Sequence, residues 1–327
     1  MEKRIDNYYE KKLVEKQQRL KSAIATLGKE EYLRTLLDEV DAALERVATG
    51  SYGICEECHE EIEEDRLLAN PLLRFCLDHL STDEQHALEE DIKLASQIQG
   101  ALLPPRKMQL YGWDISYYYQ PAGAVSGDFC DLVKNEDKRE LFFFVGDVSG
   151  KGIAASMLMS NLHAIFRSII DAGLSINELI TRANRIFCES TLPESYATLV
   201  CGRAGSGGAI EIINAGHCLP ILARKSELTS VESMGFPLGI FCVSQYTTRT
   251  FQLSPGETLL LYTDGLSECV NKANQEYGIE RIHNVLRENE HVSPEELLHA
   301  YINDFQSFQE KQKQKDDLTI MVIRRME

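Results

Sequence analysis

In three stretches, aspartates stand where apolar runs end or begin. "LFFFVGD" reaches Asp147, "TLLLYTD" reaches Asp264, and "DDLTIMVI" leaves from Asp316 and Asp317. A fourth stretch, "VSGDFCD", sets Asp128 and Asp131 beside a glycine. Asp-Gly at a strand end is ordinary turn chemistry, so one such pair says little. Several together say more. Carboxylates gathered at buried strand ends repel one another and need a cation. An all-oxygen donor set suits Mg²⁺ or Mn²⁺ rather than zinc. Two such ions close together can share one carboxylate and activate a bridging water for attack on a phosphoryl group.

The glycine-rich turn after Asp147, "GDVSGKG", invites a rival reading as a phosphate cradle. A P-loop has four residues between its glycines and a Ser or Thr after its lysine. Here one residue is missing between Gly146 and Gly150, and Gly152 follows Lys151. The cradle therefore loses both its spacing and its magnesium ligand. Ser149 is no better as a nucleophile, because no His–acid pair is placed to activate it.

A second constellation calls for a different metal. Cys55-x2-Cys58 is followed, after seventeen residues, by Cys76-x2-His79. Two knuckles of this spacing match a closed, tetrahedral, structural zinc site. His59 is the alternative fourth ligand. "CEECH" also fits a haem attachment pattern, but that attachment occurs outside the cytosol and the N-terminus shows no export signal.

The elements that must position these groups fall into three stretches. Residues 1–48 carry apolar stripes at helical spacing, Tyr9 to Leu27 and Leu33 to Val47, broken at Gly28. They predict two amphipathic helices packed as a hairpin, with Gly50 and Gly53 ending the second. A third helix, "TDEQHALEEDIKLASQIQGALLPP", is capped by Ser81 or Thr82 and stopped by Pro104-Pro105. Its Leu88, Ile92, Ala95, Gln99 and Leu102 form an a/d seam over two heptads, either packed on its own domain or pairing with a second copy. From Trp113 onward, strand-like runs come in blocks, with helical segments at 153–170, 175–188, 278–288 and 294–312. That order predicts mixed or antiparallel sheets with helices outside them.

Composition narrows the partners. The 327 residues carry a formal net charge of −17 and no large Lys/Arg block, which argues against nucleic acid and acidic membranes. No apolar run reaches the roughly 18 residues of a bilayer span, and no secretory h-region opens the chain. These features predict a cytoplasmic protein whose nine cysteines stay reduced, the six outside the cluster being single core residues.

Two resemblances join these readings. "ALERVATGSYGICEECHEEIEEDRLLANPLLRFCLDH" resembles the zinc-finger module of the DksA/TraR family, with His79 where that family has a fourth cysteine. Better-known members of that family enter RNA polymerase with acidic residues at the hairpin tip. Here the tip, near "TLGKEE", lacks their Asp-containing motif, so a polymerase-binding transcription modulator is the alternative function only. Residues 105–327 resemble the metal-dependent Ser/Thr phosphatases of the PPM family, nearest the SpoIIE/RsbU branch. "IQGALLPP", "GAVSGDFCD", "VGDVSGKGIAASMLM", "NAGHCLPIL", "GFPLGI", "LLLYTDGLSE" and "DDLTIMVI" occur in that branch's order.

The resemblance implies an α+β fold, a β-sandwich flanked by helices (α/β/β/α), preceded by a helical hairpin with a small zinc finger. The expected divisions are 1–82 for hairpin and finger, 83–104 for a linker helix, and 105–327 for the phosphatase domain. By the same likeness Asp147 bridges two Mn²⁺ or Mg²⁺ ions, and the Val148 carbonyl completes one of them. Asp264 and Asp316 hold the other, Asp128 is an outer or third-metal ligand with Asp131 beside it, and Asp317 supports them. Asp147, Asp264 and Asp316 are then the catalytic set, with one structural Zn²⁺ on Cys55, Cys58, Cys76 and His79. Two positions depart from the branch: Cys130 replaces an aromatic, and Lys151 stands where His is frequent. His217 is either a general acid or, as more often in this branch, a turn-former. The implied function is a phosphoserine/phosphothreonine protein phosphatase acting on a phosphorylated STAS-type anti-sigma-factor antagonist in a partner-switching pathway. Its regulation falls to the N-terminal module, and the linker helix suits a homodimer.

Overall fold

A computed structural model describes residues 2–27, 31–63, 66–67, 70–79, 82–225, 227–232, 235–310, 312 and 314–326. The hairpin tip at 28–30 and the possible cap Ser81 lie outside them. The chain divides into two compact units, Met1–Glu90 and Asp91–Glu327.

The first unit opens with the helices α1 (Glu2–Leu27) and α2 (Glu31–Thr49). Their apolar stripes meet as the spacing predicts: Leu13 and Leu20 bury against Val40 and Ala43. Gly50 and Gly53, both at positive φ, turn the chain out of α2. A short loop module follows, and its buried Cys55, Ile62, Leu67 and Cys76 cluster around Tyr9 of α1. Helix α3 (Thr82–Leu102) comes next and runs across the division between the units.

The second unit is built from two antiparallel sheets. One orders β1 (Lys107–Leu110), β2 (Trp113–Gln120), β11 (Leu318–Arg325), β10 (Thr258–Tyr262), β7 (Ile221–Arg224) and β8 (Glu227–Ser230). The other orders β3 (Asp128–Asn135), β4 (Glu140–Val148), β5 (Ala197–Gly205), β6 (Ala209–Ala215) and β9 (Arg249–Gln252). Strand β4 shows why its sequence is a continuous apolar run. Leu141, Phe143 and Val145 point into the core between the sheets. Phe142 and Phe144 point the other way, onto α4 (Gly152–Ile169) and α5 (Ile176–Ser190). The opposite sheet is covered likewise by α7 (Gly278–Glu288) and α8 (Pro294–Gln309), which follow the one-turn α6 (Asp264–Ser267). The result is the α/β/β/α sandwich expected. Capping boxes at Ser175/Glu178 and Ser293/Glu296 fix where α5 and α8 begin.

Residues 152–172 are long and apolar enough, by composition, to cross a bilayer. Their apolar side is a core face instead: Ala155, Met159, Leu162, Phe166 and Ile169 are buried on the sheet.

One expectation changes. Cys188 on α5 and Cys242 are not single core residues; they form a disulfide, with Cα atoms 5.5 Å apart. A sequence separation of 54 hides that proximity until α5 and the 236–246 loop are folded together. Of the two readings of the α3 seam, packing on its own domain holds at its C-terminal end. Gln99 is buried against Ser126, and Leu102 packs on the α4/α5 core. The apolar residues α3 leaves exposed beyond Leu88 are Leu94 and Ile98, one turn apart on another face. The disulfide makes a simple forecast: thiol titration of the unfolded, metal-stripped chain should count seven free cysteines, and nine after reduction. Nine without reductant would remove the bond.

Candidate metal centres

The first centre lies where four strand ends meet. Antiparallel register sets Asp128 of β3 opposite Asp147 of β4, and Asp147 opposite Thr198 of β5. In the other sheet β10 pairs with β11 up to Tyr262 and Ile320, which brings Asp264 beside Asp316 and Asp317. Two bonds lock this corner: Thr263 N–H donates to the Thr319 carbonyl at 3.0 Å, and Thr319 N–H donates to Thr263 Oγ1 at 2.9 Å. The glycine after Asp264 is obligatory, because a Cβ on Gly265 would lie 1.8 Å from the Asp317 carbonyl oxygen.

Electrostatics show that the carboxylates converge. Burial, then the charges of Asp264, Asp316 and Asp317, push Asp147 up to about 7. Burial, then Asp316, raises Asp264. Lys151 answers part of this charge, with Nζ 3.0 Å from Asp316 Oδ2 and a bond to the Lys315 carbonyl at 3.1 Å. One ammonium cannot balance so many carboxylates, so the donor set fits hard divalent cations. Asp264 and Asp316 also line a cavity of about 120 Å³ together with Glu268. Burial and the Asp264 charge raise Glu268. Sequence reading passed over Glu268; its signal was its place one helical turn beyond Asp264.

Other candidates take supporting positions. Asp128, expected as an outer ligand, is buried behind Asp147 with Oδ2 accepting from Thr263 Oγ1 at 2.9 Å and Thr319 Oγ1 at 2.5 Å. It ties one sheet to the other. Asp317 accepts from the N–H groups of Ala122 and Gly127, both at 2.7 Å, and so fixes the loop before β3. Gln99 grips the same loop: its amide donates to the Ser126 carbonyl at 2.7 Å and accepts from Ser126 N–H at 2.9 Å. Asp131 is directed elsewhere, held by Arg167 of α4 at 2.8 and 2.6 Å. His217 is buried, which lowers it to about 4, so it is neutral at ordinary pH. Its backbone is held by Asn214, and its Nδ1 lies 2.8 Å from Thr198 Oγ1, the geometry of a turn-former.

The second centre gathers Cys55, Cys58, Cys76 and His79, whose donor atoms all lie within 4.8 Å of one another. Cys58 and Cys76 sulfurs are 3.7 Å apart, and Cys76 Sγ is 3.2 Å from His79 Nδ1. Zinc–sulfur bonds of ~2.3 Å set the edge of a tetrahedron at roughly 3.8 Å, so the donors fit zinc. His59 is exposed, at φ 59°, and outside this group.

Two family models match the chain, one in each unit. The family model described as Stage II sporulation protein E (SpoIIE) matches residues 137–326. The prokaryotic dksA/traR C4-type zinc finger matches residues 50–78, just short of His79. Phosphoserine phosphatase RsbU of Bacillus subtilis (strain 168) is 26% identical over 247 residues, covering 74% of this chain and 72% of its own. The SiaA-PP2C domain of Pseudomonas aeruginosa has the same fold, with a TM-score of 0.65 at 20% identity, over 75% of this chain and 99% of that one. The RsbU and RsbW domains of Rv1364c from Mycobacterium tuberculosis align with a TM-score of 0.58 at 25% identity, over 68% of this chain and 62% of that one.

The Gly265 contact generates a test. Gly265→Ala must push Asp264 away from Asp316, so Mn²⁺ affinity, read by the free-ion signal in electron paramagnetic resonance, should fall about tenfold or more. Unchanged affinity would separate this turn from metal binding.

Proposed function

The chain belongs to the Stage II sporulation protein E (SpoIIE) family, and from that premise we propose that it removes phosphate from a phosphorylated STAS-type anti-sigma-factor antagonist. It is a protein-serine/threonine phosphatase of PPM type, and the observation that carries this reading is the set of partly buried and exposed carboxylates converging on Asp147 at the strand ends. The RsbU likeness, and the joining of RsbU and RsbW domains in one mycobacterial chain, support a place in partner switching.

We assign the Asp147 carboxylate, the Val148 carbonyl, Asp264 and Asp316 as the groups that would hold two divalent cations. Mn²⁺ and Mg²⁺ both suit these oxygens. Such ions would supply Lewis-acid polarisation of a phosphoryl group and a more acidic water. The protein's part is positional. Asp128, Thr263 and Thr319 hold the two sheets in register beneath the ligands. Asp317 and Gln99 fix the loop above them. Lys151 stands beside Asp316 at the opening, where its charge can meet an incoming phosphate.

Cys55, Cys58, Cys76 and His79 hold a structural Zn²⁺ in this reading, and the hairpin with its finger serves as the regulatory module. We place the enzyme in the cytoplasm as a homodimer that pairs through Leu94 and Ile98 of α3, the face that remains after Gln99 is engaged. The polymerase-binding alternative is less supported, resting on the dksA/traR finger match over residues 50–78 alone.

Three outcomes follow. Asp147→Asn should lower hydrolysis of a phosphorylated STAS protein about a hundredfold or more, beyond the roughly 10–100-fold that follows loss of an outer partner, while the melting curve stays cooperative. Full activity in that variant, or in excess chelator, would exclude a two-metal mechanism. Metal analysis should find one zinc per chain, lost in Cys76→Ser together with the fold of the finger. Leu94→Asp with Ile98→Asp should sediment as a monomer where the parent sediments as a dimer.

A further inference from the structure

The loop 236–243 exposes apolar side chains that a soluble surface normally hides. Phe236 is 60% exposed, Phe241 52% and Val243 91%, and Ile240 is also exposed. The Phe236 and Phe241 rings nonetheless pack edge-on, 5.2 Å apart. The loop lies against the turn before β5, which exposes Leu192 and Tyr196: Ala197 and Leu238 exchange backbone hydrogen bonds at 2.9 and 2.8 Å. That turn is in turn bonded to the metal-binding turn. Ser149 N–H donates to the Tyr196 carbonyl at 2.8 Å, and Tyr196 N–H donates to Ser149 Oγ at 3.0 Å. The apolar surface is therefore continuous with the segment that carries Asp147.

The loop is also held in place rather than left to wander. Asn184 accepts from Gly239 N–H and donates to the Phe241 carbonyl, both at 2.9 Å. The Cys188–Cys242 disulfide ties its far end to α5. A fixed, exposed apolar patch signals a partner, because pre-ordering lowers what binding costs.

We propose that Leu192, Tyr196, Phe236, Ile240, Phe241 and Val243 form the docking surface for a folded phosphoprotein, seating its phosphoserine over the carboxylate centre. This rests on the phosphatase reading above. Charge selects this occupant's mode of binding. The chain carries a net −17, so long-range attraction to a phosphorylated protein is poor and apolar contact must supply the affinity. Hydrogen-bonded continuity with the turn that carries Asp147 selects substrate as the occupant.

The test compares three probes with the full-length chain and Mn²⁺: a serine-phosphorylated STAS-domain protein, the phosphoserine peptide cut from it, and p-nitrophenyl phosphate. The wild type should favour the folded protein over its peptide. Phe241→Ser should lower kcat/KM on the folded protein about tenfold or more, as loss of an interface anchor does, and leave p-nitrophenyl phosphate within about twofold. Val243→Asp repeats the test at a side chain too exposed to affect folding. Equal wild-type rates on protein and peptide, unchanged protein kinetics in both variants, or a dimer-to-monomer change in Phe241→Ser would each overturn the docking surface alone. A wild type inert on all three probes would overturn the phosphatase reading, and the docking surface with it.

Discussion

Mutual repulsion among carboxylates crowded at strand ends is the constraint around which the catalytic unit is organised. Asp147, Asp264 and Asp316 come from three strand ends in two different sheets, and nothing in their own chemistry favours the meeting. The sandwich imposes it. Phe143 and Val145 pack between the sheets while Phe142 and Phe144 pack under α4, so the end of β4 cannot retreat. Asp128 then joins the sheets through two threonine hydroxyls next to the crowded site. A fold that holds like charges together in this way stores a binding site for cations.

The same logic in miniature shapes the finger. A module this small has little core of its own, with Cys55 and Cys76 themselves among its buried groups. Metal ligation supplies folding energy that apolar burial cannot. Helix α3 follows this module and ends in the Gln99 grip on Ser126, two residues before Asp128. A change imposed on α3 therefore has a short covalent and hydrogen-bonded route to the loop that Asp317 also holds.

Much of this was legible in the sequence because the signals were local. Continuous apolar runs ending in Gly-Asp and Asp-Gly marked β4 and β10, and x2 knuckles marked the finger. Helices α4, α5, α7 and α8 matched their periodic stretches to within a few residues. Strand β3 was not legible, since "DFCDLVKN" mixes two aspartates into a strand buried on both faces, and their compensation by Arg167 and by two threonines comes from distant segments. The partner of Gln99 was left open for a related reason. Heptad spacing reports which residues share a helix face, and Gln99 shares one with Leu102, but spacing does not report what that face meets. The disulfide and the apolar 236–243 loop belong to the same class, being set by tertiary proximity alone.

The most direct measurement is anomalous X-ray scattering from crystals of the full-length protein grown with Mn²⁺. Two peaks should appear at the strand ends, with the Asp147 carboxylate between them and Asp264 and Asp316 on one. Peaks that avoid Asp147, or an ordered Asp147 with no metal beside it at saturating Mn²⁺, would contradict the central claim that this crowding of carboxylates exists to hold a pair of cations.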